Sequence, residues 1–183
     1  MSLIDQSYFI AEINIAGTTR PEVIETLSAL VSKYEPIFLR DILGIELSAL
    51  FVADLLLPTI PQRSIDLRDG KTFTIGQATY RWRGLLENKT DPIAKRSIIA
   101  NLVYYWYQRD VVTFQTPVGE TSALTQNSTI ANPNIKMARA WNEMVEGIWE
   151  LRLFLQQNYA VYPEYQYAII NPVYFKKINL FGI

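Results

Sequence analysis

The chain has 183 residues, a formal net charge of −1, and neither histidine nor cysteine. Those two absences exclude Ser-His-Asp and Cys-His catalysis, thiol redox chemistry and the common Cys/His zinc sites, so that carboxylates, amines and hydroxyls carry whatever chemistry is left. With 49% hydrophobic, 19% charged and 13% aromatic residues, the chain reads as one soluble domain with appendages, long enough to bury roughly 70% of its unfolded surface, but with a surface short of charge.

From the start, Tyr8 to Ile15 alternates imperfectly up to Gly17 and predicts an extended arm or short strand. Thr18, Thr19 and Pro21 then look like a helix start, and Val23, Leu27, Leu30, Tyr34 and Phe38 form one apolar face. Pro36 lies inside that pattern and predicts a kink or a break, since it removes a backbone donor. Gly44 reads as a helix cap, after which Ile45 to Leu57 restarts as a helix that Pro58 and Pro61 end. This most apolar stretch contains Glu46 and Asp54 and falls short of the ~20 residues that span a bilayer. Residues 1–10 lack a basic segment followed by an apolar run, so neither secretion nor membrane insertion is expected.

Between Ser64 and Gly84, Asp69-Gly70 separates two short alternating runs and predicts a β-hairpin inserted between helices. Asp91-Pro92 reads as the cap of a helix through Asp110, apolar almost all round and therefore buried in its own fold or between subunits. After a β-like run, Val111 to Thr116, the polar stretch Pro117 to Asn132 predicts a long functional loop. Asn132-Pro133 opens the last helix, striped by Met137, Trp141, Met144, Ile148, Leu151 and Leu155 as for helix packing. Residues 159–183 read as an extended aromatic C-terminal arm beyond a helical domain of 1–158. Tyr162, Tyr165, Tyr167, Tyr174, Phe175 and Phe181 make free disorder implausible for it. Docking on its own domain and docking on a neighbouring subunit both satisfy that density.

Two clusters invite a chemical reading. Pro61 to Arg96 holds eight basic and four acidic residues, a local excess that the rest of the chain offsets, and Arg81-Trp82-Arg83 interleaves cations with an aromatic as single-strand binders do. A solvated hairpin face, an acidic partner and DNA phosphates are the alternatives for this segment. Glu143, Glu146 and Glu150 share a helix face at metal-ligand spacing, but without histidine the ligands would all be oxygen. No phosphate loop or nucleophile elbow accompanies them, so no cofactor, metal site or catalytic residue is assigned and an enzyme is not expected.

The runs Tyr8 to Ile15, Lys33-Tyr34-Glu35-Pro36-Ile37-Phe38-Leu39-Arg40-Asp41-Ile42-Leu43-Gly44, Trp82-Arg83-Gly84-Leu85, Ile98 to Tyr105 and Ala140-Trp141-Asn142-Glu143-Met144 resemble, in pattern and order, the head–tail connector (adaptor or neck-ring) proteins of tailed bacteriophages, particularly those of Bacteroidetes-type hosts. The resemblance implies a mainly α fold, a helical bundle with an inserted β-hairpin and extended N- and C-terminal arms. It implies a virion protein, made in the host cytoplasm, forming a ring usually of twelve copies between the portal protein and adjacent neck or tail proteins, with DNA passing through unread and no membrane involved. Arg81, Trp82, Arg83, Tyr162, Tyr165, Tyr167, Tyr174, Phe175 and Phe181 are then the expected interface, with the basic segment facing the portal or an outer partner rather than the lumen. A tail-completion or tail-terminator ring is the alternative; a carboxylate-dependent hydrolase is the rival of another class.

Overall fold

A computed structural model describes residues 2–10, 12–91, 95–110, 113–116, 119–122, 133–165 and 175–179. Within them the chain is mainly helical: α1 Pro21–Leu43, α2 Ile45–Leu55, α3 Gln62–Asp69, α4 Ile98–Asp110 and α5 Pro133–Gln157. Two antiparallel ribbons are inserted, β1 Lys71–Ile75 with β2 Ala78–Trp82, and β3 Thr113–Thr116 with β4 Gly119–Ser122. This is the helical bundle with an inserted hairpin that the periodicities predict. Helix α5 lies along α4, α4 against α1, and α1 against α2, while the first ribbon packs on α5. One core joins them, with Phe9, Phe38, Phe51, Trp82, Val103 and Phe154 almost wholly buried.

Several boundaries differ from the sequence expectation, each for a local reason. The N-terminal segment forms a short 3-10 helix, Gln6–Phe9, instead of an arm or strand. The Asp5 carboxylate accepts from the Ser7 amide at 2.9 Å and caps it, and Tyr8, Phe9, Ile13 and Ile15 are buried on the bundle. Helix α1 starts at Pro21 with Arg20 as an N-cap that makes no side-chain bond, and it runs unbroken through Pro36 to Leu43. The buried seam of Leu27, Val31, Phe38, Leu39 and Ile42 brackets the proline on both sides, and its packing outweighs the missing hydrogen bond.

Asp69-Gly70 is not a hairpin turn. It ends α3, and the strands turn at Gly76-Gln77, with Ile75 opposite Ala78 and Lys71 opposite Trp82. Gly70, at φ +91, crosses the exit of the hairpin so closely that a Cβ there would come within 2.5 Å of the Trp82 carbonyl oxygen. Gly84, at φ +94, meets the same crossing from the other side, its Cβ position 2.6 Å from the Asp69 carbonyl carbon. Helix α4 begins at Ile98, not at Asp91-Pro92: the Ser97 hydroxyl accepts from the Ile99 amide at 3.1 Å. The run predicted over Val111 to Thr116 is a strand at 113–116, and part of the predicted long loop, Gly119–Ser122, pairs with it. The remainder of that loop lies outside the described residues.

Candidate functional site

A cleft of about 260 Å³ lies where the N-terminal segment, the end of β2, the residues before α4 and the middle of α5 meet. Its charged lining is Glu12, Arg83, Glu87, Lys95, Arg96, Glu143 and Glu146, and Trp82 also borders it. Glu12 accepts from Arg96 at 3.1 Å and from Arg139 at 2.9 Å, and Arg139 lies 3.6 Å from Glu143 one turn further along α5. Burial, and then the negative charge of Glu12, raise the pKa of the Glu143 carboxyl above the ordinary glutamate value.

The three glutamates that share a face of α5 do not converge on one centre. Glu143 pairs with Arg139, Glu146 with Lys177 and Glu150 with Arg83. Among the described residues no group of three or more acidic side chains is placed to hold a metal ion. What the cleft can do chemically is hold charges in pairs.

Of the residues expected at an interface, Trp82 is fully buried, its indole N–H donating to the Leu67 carbonyl at 3.1 Å. Strand alternation turns Arg81 to the opposite side of β2, where it stays exposed; Arg83, just past the strand end, pairs with Glu150 at 2.8 Å. The triplet is therefore no stacking platform for bases. The basic segment around it is largely neutralised: Arg63 by Asp54 and Glu164, Arg68 and Lys89 by Asp69, Lys71 by Asp66, and Arg96 by Glu12. Four of the acids that pair with this segment, Glu12, Asp54, Glu150 and Glu164, lie outside it in sequence, so a local charge count could not reveal them.

The described part of the C-terminal arm docks on its own chain. Tyr162 is 1% exposed and its hydroxyl donates to the Arg63 carbonyl at 2.9 Å, and Tyr165 is as deeply buried. Phe175 meets Phe38 edge to face at 5.8 Å and lies beside Trp141. These rings are thus committed within the chain and are not free interface residues. Tyr167, Tyr174 and Phe181 lie outside the described residues.

A surface that sequence reasoning missed is the outer face of α2. Leu47, Ser48, Phe51 and Asp54 face the core, while Ile45, Ala49, Leu50, Val52, Ala53 and Leu56 are exposed. The signal was present in a helix apolar except at Glu46, Ser48 and Asp54, but periodicity cannot say which side meets the core. No helix among the described residues is long and apolar enough to cross a membrane. Comparison of the chain with protein-family models, with curated proteins and with solved structures finds no match.

Proposed function

We propose that this protein is a structural subunit of the head–tail connector of a tailed bacteriophage. It assembles as a ring, expected at twelve copies, that joins the portal vertex to the tail and leaves a channel for DNA. The observation that carries the reading is the uncovered apolar face of α2, on a bundle whose clustered charges are taken up by internal ion pairs. An exposed apolar patch on a helical surface marks a contact with protein. The paired carboxylates of the cleft support a part that works by contact rather than by proton transfer. The basic segment contributes less to docking than its charge count implies, since among the described residues only Arg81 and Lys95 of its cations make no ion pair.

The test is quantitative analysis of purified virions. The protein is expected at the portal vertex in a fixed ratio of about one copy per portal subunit, as ring stacking on a shared axis requires. Its absence from particles purified away from host protein would remove this reading.

A further inference from the structure

Two surface features of the bundle are complementary to each other. On α2, Ile45, Ala49, Val52 and Leu56 form a stripe at spacings of three and four, with Ile45 and Leu56 leaving 69% and 68% of their surface in solvent. The exposed charge on this helix is Glu46, whose carboxylate has no partner among the described residues. On α5, Arg152 is only 8% exposed, and its Nε and Nη2 are buried without a hydrogen-bond partner.

Nε and Nη2 lie on the guanidinium edge whose N–H bonds run parallel, the edge that takes a carboxylate in two bonds. Arg68 uses that edge on Asp69, with both contacts at 2.8 Å. Arg152 has the same edge and, among the described residues, no acid to fill it. An uncompensated buried cation is costly, so a state that supplies the counter-charge is favoured. One turn away on either side, Trp149 and Gln156 are exposed, so outward rotation of the arginine brings its head to the surface.

We propose that the α2 face of one copy docks on α5 of a second copy around Trp149 and Arg152, with Glu46 neutralising Arg152. Charge complementarity points to a second copy: one face is apolar with a carboxylate unpaired among the described residues, the other offers a half-exposed tryptophan, one face of whose ring is flanked by the Lys177 ammonium, and beside it a guanidinium unpaired among the described residues, and the same chain carries both. Because the two patches differ, the contact is head-to-tail and propagates around an axis. Closure into a ring rests on the connector reading; the pairwise contact does not.

The test is sedimentation velocity of the full chain over a concentration series, with far-UV circular dichroism to confirm folding. Wild-type protein is expected to self-associate. Glu46→Arg is expected to weaken association roughly thirtyfold or more, as reversal of a buried interfacial charge does, and Arg152→Glu to do the same. An equimolar mixture of the two variants is expected to associate again, since every contact between unlike chains then pairs one guanidinium with one carboxylate. Should Arg152→Glu fail to fold, Leu56→Asp on the exposed stripe of α2 serves in its place and must also weaken association. A wild type that is monomeric at every concentration, variants that associate as tightly as wild type, or folded single variants whose mixture stays dissociated each overturn the proposal. Self-association with this pattern in a protein absent from virions would retain the docking surface and remove the connector reading.

Discussion

Glu143 shows how a single side chain responds to the fold around it. In the unfolded chain its carboxyl titrates near the ordinary glutamate value of 4.5, whereas in the fold burial and then the neighbouring Glu12 hold the proton to higher pH. A folded-state pKa raised in this way contributes stability that is full below the unfolded value and is lost as pH rises through the raised one. Glu143→Gln removes that loss. The melting temperature of the variant relative to wild type is therefore expected to climb as pH rises from about 4 towards neutrality; a difference flat across that window would refute the assignment. Glu35, raised chiefly by burial although it accepts from the Leu3 amide and the Ser2 hydroxyl, behaves alike in both proteins and cancels. Asp69 runs the other way: burial raises it, but bonds from Arg68 and Lys89 outweigh burial and leave it lowered, so its contribution is lost only as pH falls through that value.

Between elements, the contact of α4 with α5 is set by Gly147. A Cβ at that position would stand 2.3 Å from Cγ2 of Ile98, at the first turn of α4. Ile98 is β-branched and has little rotamer freedom within a helix, so the methyl group cannot step aside. Gly147→Ala gains about 1 kcal/mol of helix propensity and loses about 1–3 kcal/mol to overpacking. A net loss of about 1 kcal/mol is expected in denaturant midpoints. In the Ile98→Ala background, which deletes the opposing methyl, the same substitution is expected to stabilise; equal effects in both backgrounds would show that the close approach is not what the glycine serves. The hairpin depends on glycine in another way: Gly70 and Gly84 let two backbone strands cross where any side chain would collide with a carbonyl.

At the scale of the whole molecule, a boundary at residue 158 separates nothing in the core. Tyr162 and Tyr165 belong to the same buried cluster as Phe9 and Phe154, and Tyr162 lies edge to face with Phe154 at 5.6 Å. A chain ended after Asn158 therefore loses two core rings together with the Tyr162 hydroxyl bond to Arg63. At about 3–5 kcal/mol for each large aromatic removed, the loss rivals the roughly 5–15 kcal/mol by which domains of this kind are stable. The truncated chain is expected to lose its cooperative thermal transition; a sharp transition near the wild-type temperature would show that 1–158 is an independent unit. The described part of the aromatic arm is in this respect part of the bundle, and the uncovered apolar face lies on α2.

Length, the absence of histidine and cysteine, and the spacing of apolar residues were enough to specify a mainly helical chain, α2 beginning after Gly44, the last helix opening at Pro133 and a hairpin between helices. Those features follow from local rules of capping and periodicity that operate within a few residues. Where two local signals competed, tertiary packing chose between them: the seam across Pro36 kept α1 whole, and the crossing of Gly70 with Gly84 moved the turn to Gly76-Gln77. The candidate site was less legible for a related reason. Charge pairing depends on distance in space, and Arg83 with Glu150, Arg63 with Glu164 and Arg96 with Glu12 join residues 67 to 101 positions apart or in separate elements. Composition determined that this protein has few routes to catalysis; only the fold decided that its basic segment is largely neutralised, that Trp82, Tyr162 and Tyr165 face inward, and that α2 leaves an apolar side in solvent, because burial and charge compensation are properties of neighbours the chain acquires on folding.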